Sequence, residues 1–158
     1  MSPMWPEFEL IARLREKKLT LCTAESCTGG GIGAALTSVP GSSEVFLGGI
    51  ISYTNGVKNR ILGVSGELLD SLGAVSAPVA EAMAQGARKT IGADLAVSVT
   101  GLAGPGGDEF GHPVGTVFLG FADENRTLSR EYHFSGDREQ IRSAAVQAAL
   151  ALLLELTA

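Results

Sequence analysis

The sequence is poor in the residues that build metal centres and disulfide frameworks. Its 158 residues include two cysteines and two histidines, and they form neither a C-x-x-C pair nor a Cys/His cluster. We therefore expect no metal site built from them. Cys22 lies in an apolar run and is predicted to be a small core residue. A disulfide between Cys22 and Cys27 is not expected, because a cytosolic setting disfavours it.

Excess positive charge and long apolar runs are also missing. The net charge of −5 argues against a nucleic-acid partner, although a local basic pocket stays possible. No apolar run is long enough to cross a bilayer, so no membrane partner is expected. The first residues lack the basic start and apolar core of a signal peptide, and we expect a cytoplasmic protein.

What the sequence does contain is typical of one globular α/β domain, 1–158. Apolar residues make up 45% and charged residues 18%. Apolar spacing predicts strands at 19–23, 45–53, 95–100, 114–122 and 126–134. It predicts helices at 4–17, 32–37, 66–72 and 77–91, a short one within 57–62, and a last one opening at 137. Strands and helices alternate in the front half, which favours a mainly parallel sheet covered on both faces. The last two strands should form an antiparallel hairpin.

The stretch 23–33 joins the first strand to the second helix. A strand that turns into a helix exposes backbone N–H groups, which favour an anion or a developing oxyanion. Glu25, Ser26, Cys27 and Thr28 place a carboxylate, two hydroxyls and a thiol there. The alternative is that the hydroxyls are simple helix caps and the glycines steric necessities. The stretch matches neither of the common glycine-rich nucleotide fingerprints.

Three loops are predicted to meet at one edge of the sheet. The stretches 23–33, 53–58 and 100–107 each follow a strand, and the carboxyl ends of parallel strands share an edge. Polar side chains concentrate in these loops: Glu25, Ser26, Cys27, Thr28, Tyr53, Asn55, Lys58 and Thr100. This convergence favours a functional site over isolated structural roles.

A serine nucleophile in this site needs a base. His133 lies in a predicted edge strand, and His112 has no evident orienting carboxylate, so both are poor candidates. Lys58 can act if its pKa falls from about 10.4. Burial would lower that pKa, and so would a helix N-terminus, which the position of Lys58 near the start of a short helix favours. Tyr53 could relay or orient the proton of Ser26.

Other interpretations of these residues remain open. Cys27 competes with Ser26 as the nucleophile, since a thiol near a helix N-terminus would have a lowered pKa, with Glu25 and Lys58 as helpers. Lys58 can also be an ordinary surface lysine. Tyr53 can also be a packing residue at a strand end.

Several motifs together resemble the CinA C-terminal domain family. They are AESCTGG at 24–30, SYTN at 52–55 with Lys58 and LGV at 62–64, VTGLAGPGG at 99–107 and PVGTV at 113–117. The resemblance covers nearly the whole chain, in order. It implies a three-layer α/β/α domain with a mixed, mainly parallel sheet of about five strands. It also implies deamidation of nicotinamide mononucleotide to nicotinate mononucleotide and ammonia, with no metal or organic cofactor.

The resemblance also implies roles for individual residues. The family's serine nucleophile falls on Ser26, its lysine base on Lys58 and its assisting tyrosine on Tyr53, and its glycine-rich substrate loop on 100–107. The residues expected to contact substrate are Glu25, Thr28, Gly29, Gly30, Thr100, Gly101 and Gly104. Longer family members carry a molybdopterin-binding-like domain ahead of this one, so the chain resembles the stand-alone form. A homodimer is plausible.

These expectations lead to a hypothesis of acyl transfer. Ser26 attacks the carboxamide, Lys58 moves the proton, and amides around 28–30 hold the oxyanion. The substrate phosphate would take N–H groups of 101–107 or a cation, Arg60 or Arg142. Two other functions stay open: a non-catalytic nucleotide- or protein-binding module, and an amidase acting on another small amide.

Overall fold

The computed structural model of the chain describes residues 5–158. Six helices are present in this range: α1 (Pro6–Lys17), α2 (Gly31–Thr37), α3 (Asn55–Arg60), α4 (Gly66–Leu72), α5 (Ala77–Ile91) and α6 (Arg138–Leu156). Five strands accompany them: β1 (Leu21–Glu25), β2 (Phe46–Ile51), β3 (Leu95–Gly101), β4 (Thr116–Ala122) and β5 (Thr127–His133). None of these helices is both long and apolar enough to cross a membrane. The expected first helix begins at Pro6, and Met4 lies outside the described residues.

The five strands form one mixed sheet in the order β2-β1-β3-β4-β5. β1 is parallel to β2 and β3, whereas β4 is antiparallel to β3 and β5. β5 therefore runs in the same direction as the first three strands. The register aligns Glu25 with Ile51 on one side and with Val99 on the other. The carboxyl ends of β1, β2 and β3 consequently meet at one edge, as the sequence predicts.

Helices cover both faces of the sheet, which confirms the three-layer architecture. One apolar cluster joins α1, α2 and α6 to the side chains of Leu21, Val97 and Val99. A second apolar cluster, on the opposite face, joins α5 to Cys22 and Ala24. Strand residues alternate between the two clusters because successive side chains of a strand point to opposite faces. Cys22 is fully buried, and both cysteines are free, as expected.

The first strand begins two residues later than its apolar pattern predicts. α1 ends at Lys17, the next residue, Lys18, has a left-handed conformation, and the amide and hydroxyl of Thr20 then bond to Asp94. Residues 19–20 therefore belong to the connection between α1 and β1. β1 itself runs from Leu21 to Glu25. The last residue of the strand is therefore the neighbour of Ser26, which fixes where the turn of the site begins.

Candidate active site

The turn that carries Ser26 is held by the strands on either side. The Ser26 amide donates to the carbonyl of Val99 on β3 at 3.0 Å, and the Gly29 amide donates back to the carbonyl of Ser26 at 3.1 Å. Gly29 and Gly30 have φ angles of 57° and 103°, in the left-handed region that glycine adopts most easily. Ser26 is 7% exposed. The nucleophile candidate is thus fixed at the edge of the sheet, inside the protein.

The buried side chain of Glu25 caps the N-terminus of α2. Its carboxylate accepts hydrogen bonds from the amides of Ile32 and Gly33, both at 2.9 Å, and from the Thr28 hydroxyl at 2.6 Å. The sequence predicts an anion at this helix N-terminus, and the chain supplies it itself. Because both carboxylate oxygens are occupied, the geometry gives Glu25 a role in holding the Ser26 turn. Its predicted contact with substrate stays a prediction.

Lys58 is buried against Ser26, so the interpretation as a surface lysine is wrong. Its side chain is 1% exposed. Nζ lies 2.9 Å from the Oγ atom of Ser26, 2.7 Å from the carbonyl oxygen of Ser52 and 3.2 Å from that of Tyr53. The lysine comes from α3, whose first turn is capped by the hydroxyl of Thr54. A nucleophile candidate and a base candidate, 32 residues apart, are therefore in direct contact.

Burial lowers the pKa of Lys58 from 10.5 to about 8. Loss of hydration is the cause, rather than the helix N-terminus that the sequence favours. A neutral lysine amine has two N–H donors and one lone pair. The carbonyls of Ser52 and Tyr53 can take the two donors, which leaves the lone pair for the proton of Ser26. The surroundings therefore suit Lys58 in its basic form.

Cys27 is a poor nucleophile in this setting. Its thiol is 5% exposed, and burial raises its pKa to about 11. The lowered pKa that the sequence predicts is wrong, because loss of hydration outweighs the neighbouring positive groups. The thiol is therefore protonated at neutral pH, and the geometry favours Ser26.

Tyr53 reaches this site with its backbone and Arg138 with its side chain. The Tyr53 carbonyl accepts from Lys58, but its ring is 59% exposed and its hydroxyl accepts from Nη2 of Arg138 at 3.1 Å. Nη1 of Arg138 donates to the carbonyl of Gly104 at 2.7 Å. The assisting role of Tyr53 in catalysis stays a prediction. Arg138 joins the second and third loops of the site.

Sequence reasoning missed Arg138, which it treated only as part of the start of a helix. A signal was available, since β5 runs in the same direction as β1, β2 and β3. Its carboxyl end therefore lies at the same edge of the sheet as the three polar loops. The rule that the carboxyl ends of parallel strands share one edge of the sheet would have placed the residues after His133 near the site as well.

A cavity of about 470 Å³ opens between these loops. Its lining includes Ser26, Cys27, Tyr53, Asn55, Lys58, Gly73, Thr100, Gly101, Gly104, Asp108, Glu109, Phe110 and Arg138. Three of the expected substrate contacts, Thr100, Gly101 and Gly104, belong to this lining. The hydroxyl of Thr100 is bonded to the carbonyl of Ala74 at 2.9 Å. The remaining four, Glu25, Thr28, Gly29 and Gly30, lie behind or beside the turn of Ser26 and do not line the cavity.

The two arginines that the sequence offers as phosphate ligands lie elsewhere. Arg142 donates to the carbonyls of Cys27 and Thr28 at 2.9 and 3.2 Å, so it supports the Ser26 turn from α6. Arg60 lines a separate groove together with Lys89. Neither guanidinium lines the cavity that holds Ser26.

The two histidines are outside the reacting pair. His112 does have an orienting carboxylate, contrary to the sequence interpretation, because its Nδ1 lies 2.6 Å from Oδ2 of Asp108. His133 lies on the edge strand β5, as expected, and contacts Glu131 at 2.6 Å. Neither ring bonds to Ser26 in the structure of residues 5–158. Nor does that part of the chain gather three or more His, Cys, Asp or Glu side chains in a cluster able to hold a metal.

Comparisons with known proteins agree on one family. The family model of the CinA C-terminal domain matches residues 6–157. A CinA-like protein of Geobacter sulfurreducens is 52% identical over 141 residues, which are 89% of this chain and 34% of that protein. A putative competence-damage inducible protein of Caldicellulosiruptor saccharolyticus is 51% identical over 144 residues, 91% and 35% of the two chains. The chain thus spans about a third of the length of these curated relatives.

Solved structures agree with the sequence relatives. A crystal structure of a CinA superfamily protein from Escherichia coli has a TM-score of 0.94 and 38% identity, covering 96% of this chain and 88% of that one. The crystal structure of a competence/damage inducible protein from Agrobacterium tumefaciens has a TM-score of 0.90 and 42% identity over the whole of both chains. The fold and its sequence are therefore similar to solved members of one superfamily.

Proposed function

Because this chain belongs to the CinA C-terminal domain family, we propose that it deamidates nicotinamide mononucleotide to nicotinate mononucleotide and ammonia. One observation carries the reaction type: Nζ of the buried Lys58 lies 2.9 Å from Oγ of Ser26, with a pKa lowered to about 8. A hydroxyl next to a buried amine that can lose its proton near pH 8 is the arrangement that acyl transfer needs. The choice of substrate comes from the family resemblance, since a fold by itself supports many reactions.

The first half of the reaction forms an ester. Neutral Lys58 takes the hydroxyl proton as Oγ of Ser26 attacks the carboxamide carbon of the substrate. The amides of Gly29 and Gly31 are engaged with the carbonyls of Ser26 and Thr28. The amides of Cys27, Thr28 and Gly30 have no backbone acceptor among residues 5–158, and of these three residues Cys27 lines the cavity, so its amide is the first candidate for holding the oxyanion. Such a donor contributes about 3 kcal/mol in other acyl-transfer enzymes.

The second half releases the two products. Lys58, now protonated, gives its proton to the departing amide nitrogen, and ammonia leaves as the tetrahedral centre collapses to a nicotinoyl ester on Ser26. Water then attacks the ester carbon while Lys58 again accepts a proton. The proton returns to Oγ of Ser26 when the carboxylate product separates. One lysine thus serves as base and acid in turn.

The direct test is ammonia release from nicotinamide mononucleotide. We expect turnover by the wild type and a loss of about a thousandfold or more in Ser26→Ala and Lys58→Ala, because each removes one half of the reacting pair. Cys27→Ser is the matched control and should keep most of the activity. Circular dichroism and thermal melting show that each variant is folded. Full turnover by folded Ser26→Ala would remove this serine from the mechanism.

The same assay separates the competing functions. Thermal stabilisation of the wild type by nicotinamide mononucleotide without ammonia release would favour a binding module. Ammonia release from other small amides alone would favour an amidase with a different substrate. The Ser26–Lys58 contact supports the enzyme over the module, because a site that only binds has no need of a buried lysine with a lowered pKa.

A further inference from the structure

We propose that Gly86 of α5 is a positioning residue for Lys58, because its lack of a side chain lets the connection between α3 and α4 lie close enough to α5 to hold this lysine against Ser26. The inference rests on the function proposed above for Ser26 and Lys58. It names a residue that does not line the cavity and acts on the reaction through the base.

The interior of α5 contains a glycine that the helix does not require. Gly86 lies within α5 and has no positive φ angle, so an alanine could adopt the same backbone conformation. Glycine weakens a helix relative to alanine, since it has more conformational freedom to lose. The reason for a glycine at this position therefore lies in what packs against it.

The packing partner of Gly86 is the backbone of Leu62, in the connection 61–65 between α3 and α4. A Cβ atom on Gly86 would overlap the carbonyl oxygen of Leu62 and lie 2.8 Å from its carbonyl carbon. These are backbone atoms, so no flexible side chain can move aside and the connection itself must shift. A Cβ atom on Gly63, in the same connection, would meet nothing within 4 Å. Gly86 thus sets how closely the connection approaches α5 at Leu62.

The same connection is bonded to the backbone of Lys58. The amide of Val64 donates to the carbonyl of Lys58 at 3.1 Å, and the side chain of Asn59 donates to the carbonyl of Val64 at 2.8 Å. The side chains of Leu62 and Val64 are buried in the second apolar cluster, which packs on α5. α3 has six residues, so this connection holds a large part of it. A shift of the connection away from α5 therefore moves the backbone of Lys58.

Such a shift changes the surroundings of the Lys58 amine. Nζ is held between the Oγ atom of Ser26 and two backbone carbonyls, and the side chain is 1% exposed. Displacement of the lysine backbone lengthens these contacts and admits water to the amine. Because burial lowers the pKa of Lys58 to about 8, the pKa should then rise toward 10.5. The rate should fall as well, since a misplacement of about 1 Å can cost about 100-fold.

The test follows the titration of Lys58 by NMR. The chain has four lysines, Lys17, Lys18, Lys58 and Lys89. Protein labelled with ¹³C at the lysine ε-carbon gives one signal for each, and the signal missing from Lys58→Met belongs to Lys58. All proteins carry Cys27→Ser, because this thiol is the titratable group that also acts on the pKa of Lys58. We expect the Lys58 signal to titrate near pH 8 with Gly86 in place and about one pH unit higher in Gly86→Ala.

Gly56→Ala is the matched control, since it adds the same methyl group to the helix that carries Lys58. Gly56 also has no positive φ angle, and its Cβ atom would meet nothing within 4 Å. This variant should leave the titration of Lys58 where it is in the parent protein.

Kinetics distinguish positioning from a merely structural role. Gly86→Ala should lower kcat for nicotinamide mononucleotide about 10- to 100-fold, and the midpoint of its kcat/KM pH profile should move upward together with the NMR value. A purely structural Gly86 would lower the melting temperature and move neither pH value.

A second pair of variants decides the question if Gly86→Ala does not fold. Val64→Ala keeps the backbone bond to Lys58 and loosens the packing of the connection on α5. Val39→Ala removes the same two methyl groups from the apolar cluster on the opposite face. We expect the Lys58 titration to move upward by about half a pH unit in Val64→Ala and to stay unchanged in Val39→Ala.

Three results would overturn the proposal. One is a Lys58 titration in folded Gly86→Ala that equals that of Gly56→Ala. Another, where Gly86→Ala is unfolded, is an equal titration in Val64→Ala and Val39→Ala. The third is a parent protein whose Lys58 titrates near 10.5, because no effect of burial would then be there to lose.

The titration needs no substrate, so it separates this inference from the reaction. A titration that shifts as expected, in a protein that releases no ammonia, would reject the reaction and leave the positioning role. Ammonia release by the wild type together with an unshifted titration in folded Gly86→Ala would reject the positioning role and leave the reaction.

Discussion

The carbonyl oxygen of Ser52 lies 2.7 Å from Nζ of Lys58, closer than the Oγ atom of Ser26 at 2.9 Å. The same residue donates its amide to the carbonyl of Glu25 at 2.7 Å. Ser52 thus connects the base to the strand that ends at the nucleophile. The relative position of Lys58 and Ser26 is set by backbone groups, which leaves the lone pair of a neutral Lys58 for the proton of the Ser26 hydroxyl.

The first prediction concerns the pH dependence of turnover. Because burial lowers the pKa of Lys58 to about 8 and the neutral form is the base, kcat/KM should rise about tenfold per pH unit below pH 8 and level off above it. The range to measure is from about pH 6.5 upward, since a phosphate monoester loses its second proton near pH 6. A flat profile across pH 8 would contradict the assignment of Lys58 as the base.

The second prediction concerns the pH dependence of stability. The folded pKa of Lys58 is about 8, below its ordinary value of 10.5. Between these values the unfolded chain binds more protons, so the free energy of unfolding rises with pH; below pH 8 both states are protonated and the contribution is constant. Lys58→Met lacks this titration. The difference between wild type and variant, from urea unfolding, should grow by about 3 kcal/mol between pH 7 and 10.5.

Parallel stability curves for the two proteins would contradict that prediction. Such a result would mean that Lys58 titrates normally in the folded state. Groups distant from Lys58 that titrate in this range are shared by both proteins, so they cancel in the difference. The Cys27 thiol interacts with Lys58, so both proteins should carry Cys27→Ser in this comparison.

Much of this fold can be read from local patterns. α4 occupies the predicted residues, 66–72, and α3 begins at Asn55, two residues before the predicted short helix within 57–62. These elements follow from short-range signals such as the caps at Thr54 and Ser65. The alternation of strands and helices then fixes the shared edge, which is why the approach of the polar loops could be expected before their geometry was known.

The features that escaped prediction depend on burial and on distant contacts. Loss of hydration raises the pKa of the Cys27 thiol, where the sequence predicts a lowered one, and no local pattern supplies this burial. Arg138 meets Tyr53 across 85 positions in the chain. The substrate contact expected of Glu25 stays a prediction, and its bonds to the amides of Ile32 and Gly33 give it a structural role at the start of α2 that no local pattern shows.

The third prediction concerns Glu25. In Glu25→Gln, the new NH₂ group replaces one of the two oxygens that accept from the amides of Ile32 and Gly33. We expect the free energy of unfolding to fall by about 2 kcal/mol, because a buried charged acceptor is lost. kcat should fall as well, since the Ser26 turn loses its support.

The matched control for Glu25 is Glu16→Gln, an exposed residue of α1. It should change stability by less than about 0.5 kcal/mol and leave turnover as in the wild type. Denaturant unfolding and ammonia release measure both effects. Equal behaviour of the two variants would show that the carboxylate of Glu25 does not hold the turn.

The fourth prediction compares two glycines that both have positive φ angles and that have different neighbours. Gly73 and Gly63 have φ angles of 79° and 71°, so an alanine at either is strained, and Gly73 also has a ψ angle of 166°, in a region that only glycine adopts readily. A Cβ atom on Gly73 would lie 2.5 Å from the ring of Phe110, whereas one on Gly63 would meet nothing within 4 Å. Gly73 and Phe110 both line the cavity of Ser26.

Gly73→Ala must therefore displace the Phe110 ring from the cavity wall, and Gly63→Ala leaves the wall intact. We expect Gly73→Ala to lose more stability than Gly63→Ala in thermal melts, and only Gly73→Ala to lower kcat/KM for nicotinamide mononucleotide, by about tenfold, the effect of 1.4 kcal/mol at the site. Steady-state kinetics below the melting temperature of both proteins separate the two contributions. Equal kinetics in the two variants would mean that the Phe110 wall does not contact the substrate, and the binding surface would then lie on the loops that carry Ser26, Lys58 and Arg138.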